Sequence, residues 1–186
     1  MTPSSTSSLF PPTAVASTGK PVAMAAAASK DAQAADALRV AYGIARDAVP
    51  PAQMAGPQNS AVALFAVATP VLDARIAESL GDYARALASW ERAVAADDAL
   101  AYDEPPPWYY PVRESLGGAL LRAGRAADAE RVFRADLDRH PRNPRSLLGL
   151  AASLEAQGKS ADAAFARAQY DVAVKDADVT LRIEDL

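Results

Sequence analysis

The chain of 186 residues contains no cysteine and a single histidine, His140. Without cysteine it has no disulfide, no thiolate metal ligand and no cysteine nucleophile. One histidine excludes a histidine-rich metal site, and His140 has no serine–acid pair that would indicate a catalytic triad. The acidic residues Asp97, Asp98, Asp103 and Glu104 lack the spacing and the glycine of a calcium loop. These residue types predict no catalytic site, no metal site, no cofactor and no enzymatic activity.

Long apolar runs are also missing, since no stretch approaches the ~18 uncharged residues that a membrane-spanning helix needs. The net charge is only −4, and acidic and basic residues are interspersed. This pattern argues against a nucleic-acid surface and against a basic membrane-binding patch. The N-terminus lacks the basic start of a secretory signal, so a cytoplasmic location is expected, with the periplasm as the alternative.

A set of small and apolar residues recurs along the chain. Five positions around Gly124 are repeated 34 residues later, and a similar set lies 43 residues upstream, around Gly81. The three sets are Ala74, Ala77, Gly81, Ala86 and Trp90; Leu116, Gly117, Leu120, Gly124, Ala129 and Phe133; and Leu150, Ala151, Leu154, Gly158 and Ala163. A fixed period of this length is typical of stacked helical hairpins.

Composition divides the chain into four parts. Residues 1–30 are rich in Ser, Thr, Pro and Ala and predict a disordered tail. Residues 31–59 predict a loosely attached helix and a loop, and residues 60–177 hold the repeats. Residues 178–186 alternate apolar with polar side chains, which predicts a short extended segment that folds back on the end of the repeats.

Local signals set the helix bounds within the repeats. Gly81, Gly124 and Gly158 are expected to end the first helix of each pair, where a left-handed residue is needed. The predicted helices are 60–80, 83–96, 111–122, 126–139, 144–156 and 160–176. Ser60, Asn143 and Ser160 are the predicted N-caps. Pro70 predicts a kink in the first of these helices, with two abutting helices as the alternative.

This arrangement resembles the tetratricopeptide repeat (TPR) family, including Pro141 near the end of a second helix. The third copy departs from the family pattern because it has Arg167 where the family has a bulky aromatic residue. The first copy has Asp73 at the leucine position and Asp98 at the position of the terminal proline. The resemblance implies an all-α, right-handed superhelical solenoid of antiparallel helix pairs with about three repeats. Residues 102–117 and 175–181 also resemble the C-terminal part of longer, functionally unassigned bacterial TPR proteins.

In the TPR family, an extended peptide or a partner helix usually binds in a concave groove formed by the first helices. The resemblance places seven residues of this chain in that groove, and their charges of both signs fit a charged peptide. They are Arg75, Glu78, Glu114, Leu121, Arg145, Leu148 and Glu155. The alternative is that these are ordinary solvated side chains. The family's carboxylate clamp is not expected here, because Ser115 and Gly149 occupy two of its positions.

The loop Asp103-Glu-Pro-Pro-Pro-Trp-Tyr-Tyr110 is the most unusual surface feature of the sequence. Trp108 and Tyr109 are residue types enriched in binding hot spots, and an aromatic anchor for a partner is one interpretation. The other is that the prolines hold the loop in place while Trp108 fills a gap in the packing.

The sequence therefore predicts an interaction scaffold that binds a protein or peptide. Two alternatives remain: self-association with a second copy of the chain, and a fragment of a longer repeat array.

Overall fold

A computed structural model describes residues 32–186, and this part of the chain holds seven α-helices and no β-strand. The helices are α1 (Ala32–Asp47), α2 (Ala61–Ser79), α3 (Tyr83–Asp98), α4 (Val112–Arg122), α5 (Ala126–Arg139), α6 (Pro144–Ala156) and α7 (Ser160–Ala173), followed by a 3₁₀ helix, Ile183–Asp185. The prediction of an all-α protein is confirmed for these residues. The predicted disorder of residues 1–30 lies outside them.

Helices that follow one another along the chain pack together, from α1 against α2 through to α6 against α7. In addition, α4 packs against α6, and the 3₁₀ helix packs against α6. The pairs α2–α3, α4–α5 and α6–α7 are each joined by a turn of only a few residues. No helix between residues 32 and 186 combines the length and the apolar character that crossing a membrane would require.

The three short turns have the same geometry. Gly81, Gly124 and Gly158 have φ values of 75°, 72° and 73°, in the left-handed region that favours glycine. After each glycine, the next backbone N–H donates to the carbonyl oxygen five residues earlier, as in a Schellman motif. These bonds are Asp82 N to Ala77 O (2.9 Å), Arg125 N to Leu120 O (2.9 Å) and Lys159 N to Leu154 O (3.0 Å). The predicted role of the three glycines at the helix ends is confirmed.

Helix α2 runs without a break from Ala61 to Ser79 and contains Pro70, so the alternative of two abutting helices is wrong. The predicted N-cap is correct, because Ser60 Oγ accepts a hydrogen bond from the Ala63 backbone N–H at 3.2 Å. Asn143 caps α6 in the same way through the N–H of Arg145, at 3.1 Å.

The last helix begins at the predicted residue, but its N-cap and its end differ from the prediction. The N-cap position of α7 is Lys159, which makes no side-chain cap, and Ser160 is already the first helical residue. The left-handed Gly158 turn, and not the Ser160 hydroxyl group, therefore sets the start of α7. The helix ends at Ala173 rather than 176, and the segment after it includes the 3₁₀ helix instead of being extended throughout.

A phenylalanine fixes the spacing of the helices in the second and third pairs. Phe133 of α5 is fully buried, and its ring lies directly against Gly117 of α4 and Gly149 of α6. A Cβ atom at either glycine would overlap the ring. Gly117 is one of the recurring small residues of the repeat, whereas Gly149, which has the same contact, is not part of the recurring set.

The first helix is tied to the repeats by both apolar and charged contacts. Ala35 and Tyr42 of α1 are buried, and Arg39 Nε lies 2.5 Å from Asp73 Oδ1 of α2. This ion pair accounts for the aspartate at a position where the other copies carry leucine. The loop after α1 is also anchored, because the Asn59 side chain bonds both N and O of Ala101 at 2.9 Å.

Candidate functional site

The seven residues predicted for the groove lie on the first helix of each pair, α2, α4 or α6. We call the surface that they mark the first-helix face. It comprises Arg75, Glu78, Glu114, Leu121, Arg145, Leu148 and Glu155.

On α2, Arg75 and Glu78 are parts of one polar cluster. Glu78 Oε1 accepts hydrogen bonds from Trp90 Nε1 at 3.1 Å and from Arg122 Nη2 at 2.7 Å. Arg75 donates to Glu78 Oε2 at 3.3 Å and to Ser115 Oγ at 3.2 Å, and its guanidinium lies 4.9 Å from the centre of the Trp90 ring. Arg122 and Arg75 therefore connect α2 to α4, and Glu78 holds the Arg122 side chain in a defined position.

Glu114 of α4 is almost completely buried, with 3% of its surface exposed. Its carboxylate accepts hydrogen bonds from Asn143 Nδ2 at 2.7 Å and from Arg145 Nε at 2.6 Å. Burial raises the pKa of Glu114, while Asn143 and Arg145 act in the opposite direction. Glu114 is therefore a positioning residue for Arg145, and it is not an exposed charge that a peptide meets first.

A second buried carboxylate, Asp136 of α5, holds Asn143 and Ser146 at the start of α6. It accepts hydrogen bonds from Ser146 Oγ at 2.6 Å, Asn143 Nδ2 at 2.8 Å and His140 Nδ1 at 2.9 Å. Asn143 thus joins Asp136 to Glu114 and fixes the start of α6. The single histidine is accounted for by this structural contact.

The C-terminal segment of the chain itself lies on the first-helix face. Leu181 and Ile183 pack against the buried cluster that includes Leu148. Arg145 Nη2 donates to the Asp185 carbonyl oxygen, and Arg122 Nη1 donates to the Leu186 backbone oxygen at 3.2 Å. We call residues 181–186 the docked segment.

The remaining groove residues, Leu121 and Glu155, differ in their surroundings. Leu121 is half-buried and packs against the main core. Glu155 is 57% exposed near the end of α6, and its nearest cationic partner is Arg167 at 3.8 Å. The structure therefore links Arg75 with Glu78, and Arg145 with Glu114 and the segment that covers Leu148. Glu155 instead forms an exposed pair with Arg167.

The aromatic loop divides between the interior and the surface. Trp108 is 5% exposed and belongs to the main core, whereas Tyr109 is 69% exposed. A side chain this deeply buried is not available as a partner anchor, so the structure supports the packing alternative for Trp108. The Tyr109 ring packs edge-on against the Tyr110 ring, with ring centres 4.7 Å apart, and remains accessible.

Sequence reasoning missed four residues of this site: Gly118, Arg122, Ile183 and Leu186. Two signals pointed to them. Gly117 and Gly118 are adjacent inside a helix, where one glycine is explained by Phe133 and the second is not. The tail also carries Leu181, Ile183 and Leu186 at spacings that suit a segment with one apolar side.

Away from the first-helix face, two open clefts repeat each other along the chain. One, of about 310 Å³, lies between α3, α4 and α5; the other, of about 400 Å³, lies between α5, α6 and α7. Four lining residues of the first, Leu116, Leu120, Asp128 and Val132, recur 34 positions later as Leu150, Leu154, Asp162 and Ala166. The 34-residue repeat of the sequence therefore also appears as a repeated cleft on the surface.

Within residues 32–186, no group of three or more His, Cys, Asp or Glu side chains is placed to hold a metal ion. Comparisons of the chain with family models, with curated proteins and with solved structures found no match.

Proposed function

We propose that the chain is a protein–protein interaction scaffold of the TPR type, a right-handed solenoid of about three helix pairs. In this proposal the first-helix face is the concave groove, and it binds an extended segment of a partner protein or a peptide. The binding is non-covalent and uses no cofactor.

The observation that carries this proposal is the docked segment. A short stretch of chain that contains the 3₁₀ helix already lies across α6 and α4, with Leu186 buried to 1% exposure. Two arginines contact its backbone oxygens, and each is oriented by a carboxylate, Arg122 by Glu78 and Arg145 by Glu114. Donors that are held in place in this way lose little entropy when they bind a carbonyl oxygen. The face thus has the chemistry needed to hold the backbone of a short segment.

The repeated geometry also supports the family assignment. Three glycine turns with the same hydrogen bonds, and two clefts related by 34 residues, are what stacked helical hairpins of one kind produce. Phe133, packed between Gly117 and Gly149, is the large residue through which one hairpin meets the next.

A peptide selection with matched variants tests this proposal. Peptides selected from a random display library on the whole chain are measured against Glu155→Arg, on the first-helix face, and against Glu91→Arg, on the second helix α3. Glu155 and Glu91 are both exposed, so the two changes add the same charge to solvated positions. We expect Glu155→Arg to weaken binding by about tenfold or more and Glu91→Arg to leave it unchanged.

The opposite pattern would place the site on the cleft between α3, α4 and α5 and would contradict the proposal. Glu91 lines the first of those clefts, so its variant reports directly on binding there. Leu121→Ala is a second variant of the first-helix face, and Leu87→Ala on α3 is its matched control.

Self-association is the second candidate, and the outer face of α1 favours it. Val40 and Ile44 are 55% and 69% exposed, and Ala37 and Ala41 beside them are exposed as well. One helical face is therefore apolar and uncovered within residues 32–186. In sedimentation-velocity experiments, a dimer that dissociates in Val40→Glu, Ile44→Glu would support this function, and a monomer at all concentrations would exclude it.

A further inference from the structure

The docked segment is held by features that the repeats do not share. At the position of Gly118, the equivalent residues are Arg75 in α2 and Ala152 in α6. A Cβ atom on Gly118 would lie 2.8 Å from Leu186 Cβ and 3.0 Å from the Leu186 carbonyl carbon. Real Cβ atoms essentially never approach closer than 3.0 Å, so the contact with Leu186 Cβ needs a glycine at this point, and the contact with the carbonyl carbon is tight as well.

Glycine inside a helix is unfavourable, because it loses more backbone freedom on folding than any other residue. Phe133 explains Gly117 and Gly149, but it does not contact Gly118 in this way. Leu186 occupies the space that a side chain at position 118 would take, and it is the most buried residue of the tail. We define this contact, Leu186 on Gly118 of α4, as the leucine seat.

The polar contacts of the docked segment are independent of its side chains. Arg122 and Arg145 both bind backbone oxygens, those of Leu186 and Asp185. Such contacts hold any chain of the right shape and do not select a sequence. Selectivity on this face must therefore come from the two apolar contacts, Leu186 in the leucine seat and Ile183 between the two apolar clusters.

The docked segment is also loosely connected to the rest of the protein. Residues 175–180 between α7 and the docked segment are exposed and lie in no helix. A segment with few buried contacts, attached through an exposed linker, opens at a low free-energy cost compared with the helical core. The segment can therefore leave the face without unfolding the helices.

From this geometry we infer that residues 181–186 are an internal ligand of the partner site. The docked segment competes with the partner for the first-helix face. The partner segment that displaces it presents two aliphatic side chains three residues apart, in the places of Ile183 and Leu186. This inference rests on the proposed function, and it adds the partner's chemistry and a built-in competitor.

A binding measurement with the chain's own tail tests it. The probe is a fluorescent peptide with the sequence of residues 177–186, titrated with the full-length protein and followed by fluorescence anisotropy. In Leu186→Ala the internal ligand loses its anchor, so a larger fraction of the protein is open to the probe. We expect the apparent dissociation constant to fall by about tenfold or more relative to the wild type.

Two double variants complete the design. Gly118→Ala, Leu186→Ala closes the leucine seat and should abolish probe binding, while the added helix propensity of alanine keeps α4 folded. Gly43→Ala, Leu186→Ala is the matched control, since a Cβ on Gly43 meets nothing within 4 Å, and it should bind as Leu186→Ala does. A probe that carries Leu186→Asp should not bind.

Equal affinity of the wild type and Leu186→Ala would overturn the inference, as would binding that survives Gly118→Ala or no binding at all. Those results leave the proposed function intact if library-selected peptides still depend on Glu155. Conversely, suppose that binding of the tail probe depends on Gly118 and that binding of the selected peptides depends on Glu91. This result would overturn the proposed function, but it would still support the contact between Leu186 and Gly118.

Discussion

Phe133 of α5 lies so close to Gly149 of α6 that a Cβ atom at position 149 would overlap its ring. The contact couples two consecutive hairpins, and Phe133 makes the same kind of contact with Gly117 of α4. A single aromatic side chain therefore sets the distance between three helices. The positions of α4 and α6 therefore depend on Gly117 and Gly149, and these two helices carry Arg122 and Arg145.

We expect Gly149→Ala to lower the free energy of unfolding by about 1–3 kcal/mol, because the extra methyl group overpacks a closed site. This is the reverse of the effect expected from helix propensity, which favours alanine over glycine by about 1 kcal/mol. Urea unfolding followed by circular dichroism measures the change. Gly43→Ala on α1 is the control, and it should be neutral or stabilising, because the space around it is open.

The left-handed turn glycines lead to a second stability prediction. Gly124 has a φ of 72°, a conformation that costs a residue with a Cβ atom about 1–2 kcal/mol. Gly124→Ala should therefore destabilise the protein by that amount although nothing lies within 4 Å of the new atom. Gly124→Asn should cost less, since asparagine tolerates this region better. Equal stability of the alanine variant and the wild type would contradict the turn geometry.

The buried carboxylate of Asp136 provides a third prediction. It is fully buried and accepts hydrogen bonds from Ser146, Asn143 and His140. Asp136→Ala leaves these donors without their acceptor, and we expect a loss of about 1–3 kcal/mol in unfolding free energy. Asp138→Ala, exposed on the same helix, should change stability by no more than about 0.5 kcal/mol. Similar losses for both variants would show that the network does not orient α6.

Glu130 predicts a specific dependence of stability on pH. Hydrogen bonds from Lys159 Nζ (2.7 Å), Gln157 Nε2 (2.9 Å) and Arg134 Nε (2.9 Å) lower the pKa of Glu130 from 4.5 to about 2. Because the folded-state pKa is the lower one, the stabilisation is complete above pH 4.5 and is lost as the pH falls to about 2.

In Glu130→Gln this part of the pH dependence should disappear. Urea midpoints measured at several pH values between about 2 and 5 should therefore fall less steeply in the variant than in the wild type. Glu155→Gln is the control, because its nearest cation is 3.8 Å away. Parallel curves for Glu130→Gln and the wild type would contradict the contacts of Glu130.

Local sequence signals predicted the helices well, for a physical reason. Gly124 and Asn143 act within their own helix ends, through a left-handed φ and a side-chain cap, so neighbouring residues were enough to place them. Ser160 was misassigned as a cap because the turn at Gly158, and not the hydroxyl group, decides where α7 begins.

The site was harder to predict because its contacts are distant in sequence. Arg122 and Leu186 are separated by 64 positions, and Arg145 and Asp185 by 40. No periodicity indicates which face a returning tail will cover. Trp108 shows the same difficulty: the residue type suggested a surface anchor as readily as a core residue, and only the packing of the loop decides between them.

The most direct test of the central claim, that the chain's own tail covers the first-helix face, is a ¹H–¹⁵N correlation spectrum of Leu186→Ala compared with the wild type. We expect the Gly118 amide signal and the Trp90 indole signal to shift, because Gly118 contacts Leu186 and Trp90 is linked to it through Glu78 and Arg122. The Gly43 amide and the Trp108 indole should not move. An unchanged Gly118 signal would contradict the docked segment and the account built on it.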